Sequence, residues 1–134
     1  MSQSILDSCD PSKKLTVARG SVLLQEGVQT GHLYVLADGT IDVLRGGTVV
    51  ASTSEPGAIF GEMSVLLGIP HTATVQARSN CDVYVFEDAA GFIREHPELT
   101  FQIATLLARR LNQATTYITD LNETVRAAGH IWSW

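Results

Sequence analysis

Cysteine is scarce in this sequence: Cys9 and Cys81 are its two among 134 residues, far apart and with no C-x-x-C pair. That excludes a disulfide framework and a thiolate zinc site, and two lone thiols fit a reducing compartment. Positive charge is scarce too. Nine Lys and Arg stand against fourteen Asp and Glu, a formal charge of -5, and only Lys13-Lys14 and Arg109-Arg110 are adjacent. Binding a nucleic-acid backbone needs a clustered positive patch, so no nucleic-acid partner is expected. No apolar run approaches the roughly 18 residues of a membrane span, and the opening MSQSILDSCDPSKK has no signal-like apolar stretch. No membrane partner is expected either. No G-x-S-x-G, H-E-x-x-H or P-loop pattern marks an enzyme. His32, His71, His96 and His130 lack metal-ligand spacing, so no metal or cofactor is expected. What remains is a chain with 45% hydrophobic and 17% charged residues, enough for one packed core. The expectation is one soluble, cytoplasmic, acidic domain over residues 1–134.

After a polar lead-in over residues 1–13, with room for one helical turn, short apolar runs recur every 8–12 positions between turn residues. They predict strands at Leu15–Val17, Val22–Gln25, His32–Ala37, Thr40–Leu44, Thr48–Ser52, Ala58–Ile59, Ala73–Ala77 and Cys81–Glu87. Asp38-Gly39 and Gly46-Gly47 each separate two such runs by two residues, which predicts two type I′ hairpins. Spacing this regular predicts an antiparallel roll or barrel, not an α/β sheet. One segment breaks the rhythm. Between Phe60 and Pro70, the spacing of Met63, Leu66 and Leu67 predicts a short helix from Gly61 to Gly68.

Beyond Glu87 the chain turns helical. Asp88 caps a helix reaching His96, and Pro97 opens a second at its favoured first position. In that second helix Ile103, Leu107, Leu111, Ala114, Ile118, Leu121 and Val125 recur by fours and threes. The stripe covers roughly 30 residues, or about 45 Å. It reads most simply as core packing against the roll, and its near-heptad spacing leaves a homodimer open. Gly129 is the natural stop, and the aromatic tail holding Trp132 and Trp134 must fold back or meet a partner.

The short helix within the β region carries the chemistry. At its N-terminus, N–H groups lack acceptors and the dipole favours an anion. Gly61 lets a ligand approach the backbone. Glu62 is either a capping acid or an acceptor for ligand hydroxyls, since a carboxylate takes two hydrogen bonds from a diol. Phe60-Gly61-Glu62-Met63-Ser64, followed by Pro70-His71-Thr72-Ala73-Thr74-Val75, resembles the phosphate-binding cassette of cyclic nucleotide-binding domains. That cassette reads F-G-E-(L/M)-(A/S), a short apolar helix, then P-R-(A/T/S)-A-(T/S)-(V/I). The likeness extends to Gly20–Gly27, Leu33–Leu36 with Gly39, Pro56-Gly57 and Pro97-Glu98-Leu99, so it covers about residues 15–126.

The resemblance implies a mainly β fold with flanking α: an eight-stranded antiparallel β-roll (jelly roll) at about 15–87, a short cassette helix, and C-terminal helices at about 88–128. It implies cAMP or cGMP as ligand, with Gly61, Glu62, Met63, Ser64, His71 and Thr72 as binding residues. Glu62 would bond the ribose 2′-OH, and the amides around Gly61, Glu62 and Met63 would cradle the sugar-phosphate. The base would lie against the roll wall, with the long helix as a lid.

One position departs from the family. Where members carry an arginine for the cyclic phosphate, this chain has His71. Arginine is permanently charged and fork-shaped, whereas a neutral imidazole offers one N–H. Losing a charge-assisted contact of about 1.5–3 kcal/mol weakens binding roughly ten- to hundredfold or more. With an ordinary pKa near 6.5, roughly a quarter of such side chains are charged at pH 7. His71 is thus a weaker, pH-dependent phosphate ligand, the mark of a cassette lost or retuned, or merely a solvent-exposed side chain. Thr72 resembles the threonine of cGMP-responsive members, whose hydroxyl reaches the guanine amino group, and equally suits an ordinary strand. The expected function is a stand-alone cyclic nucleotide sensor that re-packs its C-terminal helices and acts through a protein partner or a homodimer. The alternative is a degenerate roll that no longer binds nucleotide and holds a partner by its long helix and Trp tail.

Overall fold

Runs of β-branched and apolar residues, cut by glycines at positive φ, give this chain eight antiparallel strands. The computed structural model describes residues 2–7 and 9–127. Helix α1 (Ser2–Asp7) and a 3₁₀ turn (Pro11–Lys13) precede β1 (Lys14–Val17), β2 (Val22–Leu24), β3 (Leu33–Asp38), β4 (Ile41–Arg45), β5 (Thr48–Thr53) and β6 (Ile59–Phe60). Helix α2 (Glu62–Leu67), β7 (Thr74–Ala77), β8 (Cys81–Phe86), α3 (Ala89–Glu95) and α4 (Pro97–Ala127) follow. The chain forms two compact units, Met1–Leu99 and Thr100–Trp134.

The first unit holds two four-stranded sheets in the orders β1-β8-β3-β6 and β2-β7-β4-β5. Between them lie Leu24, Tyr34, Leu36, Ile41, Phe60, Val75, Ala77, Cys81 and Val83, all buried in one cluster. Leu36, Ile41 and Val83 are wholly buried; β8 supplies the core by alternate residues, whereas β3 is buried at Leu33, Tyr34, Val35 and Leu36 in succession. This is the expected roll. Gly46-Gly47 also joins β4 to β5 as expected, with φ of 56° and 79°.

Asp38-Gly39 does not make the expected hairpin. β3 pairs with β6 and β8, whereas β4 pairs with β5 and β7, so the chain crosses from one sheet to the other here. Only Gly39 takes a positive φ, 107°, and a Cβ there would lie 2.6 Å from Cys81 Sγ and 2.7 Å from the Asn80 carbonyl oxygen. The corner is set by this close packing and not by a type I′ turn. The lead-in is also more ordered than expected: Ile5 and Cys9 are buried, and the Cys9 thiol donates to the Ile5 carbonyl at 3.3 Å. Burial pushes that thiol up to about 11, so it stays protonated and inert.

In the second unit, α4 keeps its stripe in the open. Ile103 is buried and Leu107 half-buried, but every side chain from Ala108 to Leu121 is exposed. A helix of 31 residues runs about 46 Å, longer than the ~30 Å diameter of a small domain. Gly129 and the tail with Trp132 and Trp134 lie outside the described residues. No helix among the described residues is long and apolar enough to cross a membrane.

Two glycines test the corner. Gly39→Ala combines a left-handed backbone with a steric clash and is expected to cost about 2–4 kcal/mol in urea unfolding. Gly20→Ala, at φ 89° with open space around it, is expected to cost about 1–2 kcal/mol. Equal losses would contradict the packing account.

Candidate functional site

The cassette is built outward from β6. Val35 and Tyr34 of β3 pair with Ile59 and Phe60, and Gly57 N–H donates to the Leu36 carbonyl at 2.7 Å. The chain then turns at Gly61, with φ 96° and ψ 0°, directly into α2. A Cβ at Gly61 would lie 2.5 Å from the His32 carbonyl oxygen and 3.2 Å from Leu24 Cδ1, so only glycine fits. Gly68 closes the helix at φ 66°, donating its N–H to the Ser64 carbonyl. Six residues are too few to hold a helix by propensity, so these two glycines and the packing define it.

The expected site residues divide into two groups. Glu62 is buried in the first turn of α2, beside amides that have no acceptor within the helix. Met63 points outward and is exposed. Ser64 is buried, and its hydroxyl donates to the Ile69 carbonyl, so it serves the end of α2. Thr72 is half-buried, with no hydrogen bond to its hydroxyl among the described residues.

His71 is the unexpected member. It is 4% exposed, and its imidazole is held at Nε2 by the Thr30 hydroxyl at 2.7 Å. Its backbone is laced to the loop between β2 and β3: His71 N–H donates to the Val28 carbonyl, and Gly27 N–H donates to the His71 carbonyl, both at 2.9 Å. Glu26 N–H and Gln25 Nε2 both donate to Thr74 Oγ1, which continues the lacing along the cassette strand. Burial, and then the positive charge of His32, holds His71 below the usual histidine range. The side chain is therefore more fully neutral at pH 7 than an ordinary histidine. Sequence reasoning missed Thr30 and His32, because nothing in a Thr-Gly-His loop marks an interaction with a residue 41 positions away.

Residues 14–91 match the profile of the cyclic nucleotide-binding domain. An uncharacterized ABC transporter ATP-binding protein of Mycobacterium tuberculosis is 32% identical over 104 residues, 75% of this chain and 31% of that protein. This chain thus spans less than a third of that relative. The catabolite activator protein of Thermus thermophilus superposes with a TM-score of 0.70 at 25% identity, over 87% of this chain and 62% of that one. A PKAR CBD2 solved with Sp-2Cl-cAMPS bound gives 0.63 at 23% identity, over 88% and 83%. A cyclic nucleotide-binding domain from Methylobacillus flagellatus gives 0.59 at 24%, over 91% and 71%. The last two likenesses speak for the fold alone.

The buried, neutral His71 has a consequence for stability. Its folded pKa lies below its unfolded value near 6.5, so the unfolded chain takes up the proton first as pH falls. Its contribution to stability is fully present above that value and is lost as pH drops through the folded value. The urea midpoint is expected to fall between pH 7.5 and 5.5 more steeply in the native chain than in His71→Gln. Equal pH slopes would contradict a neutral, buried imidazole.

Proposed function

The chain belongs to the cyclic nucleotide-binding domain family, and on that premise we propose that it is a cyclic nucleotide sensor whose cassette takes cAMP or cGMP. The observation that carries this reading is the buried Glu62 carboxylate placed just after the left-handed Gly61, where a diol can be met at close range. In this reading His71 stands where the family places its arginine, and the phosphate meets an imidazole. An anion favours the charged ring, so binding draws a proton onto His71. Affinity then rises as pH falls from above 6.5 toward the lowered value of the free site. In this reading the Thr72 hydroxyl reaches a guanine amino group, which favours cGMP. The role is regulatory, not catalytic, and the two free, buried thiols favour a cytoplasmic home.

The signal is a shift in population between two arrangements of the helices, limited by the ligand's differential affinity for them. α2 packs against α3, which gives the cassette a direct mechanical neighbour. The output surface is α4. Its exposed positions Leu111, Ala114, Ile118 and Leu121 continue a heptad from Leu107 to Val125. With Leu111, Ile118 and Val125 at one core position and Leu107, Ala114 and Leu121 at the other, such a seam suits a second copy of this chain.

Titration calorimetry with cAMP and then cGMP, at pH 6.0 and 7.5, tests the reading. Saturable one-to-one binding, tighter at pH 6.0, is expected. Glu62→Ala is expected to weaken it roughly tenfold or more, and His71→Arg to strengthen it about ten- to hundredfold while flattening the pH dependence. No binding up to millimolar nucleotide by folded, nucleotide-free protein would overturn it and leave a roll that holds a partner. For α4, sedimentation equilibrium is expected to show a dimer that Ile118→Glu converts to monomer. A monomeric native chain would contradict the pairing.

A further inference from the structure

The group that holds His71 lies outside the cassette. Thr30, on the loop between β2 and β3, places its hydroxyl 2.7 Å from His71 Nε2. The same oxygen accepts the His32 N–H at 3.1 Å, which leaves one lone pair and the O–H for the imidazole. Backbone bonds from Gly27 and to Val28 keep this loop seated on His71, so the side-chain contact is not an isolated surface encounter. The ring is 4% exposed, whereas Thr30 itself is exposed, so the hydroxyl reaches inward from the rim of the site. No other hydrogen-bond partner of the ring stands among the described residues.

We propose that Thr30 is a positioning residue of the anion site: its hydroxyl holds His71 by Nε2 and so leaves Nδ1 as the nitrogen that meets a cyclic phosphate oxygen. The inference rests on the cyclic nucleotide reading and names how that site is set. A ring nitrogen presents its proton in a fixed direction only when the other nitrogen is held, which is how a second group orients a histidine toward metals and bases. A hydroxyl suits the task because it serves both charge states. It donates to Nε2 while the ring is neutral with its proton on Nδ1, and it turns to accept from Nε2–H once the ring is charged. A side chain without that oxygen strands a buried N–H exactly when the ligand needs the cation, and a stranded charged donor is costly.

The titratable groups on the elements that carry this site are His71 itself, His32 and Glu26 on the loop, and Glu62 in the first turn of α2. Among the others, His32 is the one whose charge bears on His71, and it acts in the same direction as burial, toward the neutral ring. Thr30 therefore supplies the hydrogen bond that lets the ring charge at all when an anion arrives.

The test begins without ligand, on the full chain. Imidazole proton and carbon resonances of His71, followed from pH 5 to 8, give its midpoint directly. Thr30→Val is expected to move that midpoint lower, and Thr30→Ser to restore it. cAMP and cGMP titrations over the same range supply the second arm. In Thr30→Val the gain in affinity on acidification is expected at lower pH, leaving binding about tenfold weaker at pH 6, while Thr30→Ser tracks the native chain. A uniform loss of affinity at every pH with an unmoved midpoint would overturn the proposal, since that is what a merely structural loop residue produces. An unmoved midpoint in a chain that still binds nucleotide overturns Thr30 alone. A moved midpoint in a chain that binds neither nucleotide overturns the phosphate half of the proposal together with the cyclic nucleotide reading.

Discussion

The backbone of Gly61 lies so close to the His32 carbonyl that a single added carbon would sit 2.5 Å from that oxygen, and the geometry of the cassette follows from this contact. With φ at 96°, the residue turns the chain from β6 into α2 without a side-chain cap. Because the approach is backbone to backbone, it fixes the start of α2 against the loop between β2 and β3. Glu62 is then carried inside, and the same loop is brought over His71. The rest of the short helix is secured from its other end, by Gly68 and by the Ser64 hydroxyl bonded to Ile69. Two glycines and one buried hydroxyl thus define six helical residues that could not form a helix alone.

That architecture decides the electrostatics of the site. A surface histidine near a phosphate would offer a fluctuating charge in water; a buried one has to be charged by its ligand. A charge-assisted contact contributes about 1.5–3 kcal/mol, against about 1 kcal/mol for a neutral one. The difference is available here only with the proton, and each unit by which the ligand raises the histidine pKa represents about 1.4 kcal/mol of coupling. On the proposed reading, a buried imidazole in place of a permanent cation exchanges a constant affinity for one tied to pH. The loop that seats the ring is part of that exchange, since it supplies both the burial and the partner at Nε2.

Much of this was legible in the sequence, and the failures have physical causes. Eight strands, the helix between Gly61 and Gly68, and the cap at Asp88 followed from alternation, glycine and proline, which act over a few residues. Gly46-Gly47 could be read as a hairpin because its turn is decided locally. Asp38-Gly39 has the same local signature yet crosses between sheets, because the partners of Gly39 are Asn80 and Cys81, some 40 residues on. Thr30 was invisible for the same reason. The periodicity of α4 announced a face that wants cover without saying what covers it. Ser64 fits the motif, but only its burial reveals that its hydroxyl is already engaged.

The central claim is that this family member takes up a cyclic nucleotide and a proton together, with His71 as the proton's home. Calorimetry of nucleotide binding near pH 7, repeated in buffers of different ionisation enthalpy, counts that proton directly. The account predicts net uptake of a fraction of a proton, largest at a pH between the His71 pKa values of the free and the bound chain and falling away on either side, that disappears in His71→Arg. Binding whose heat is independent of the buffer, in the native chain as in the variant, would contradict it.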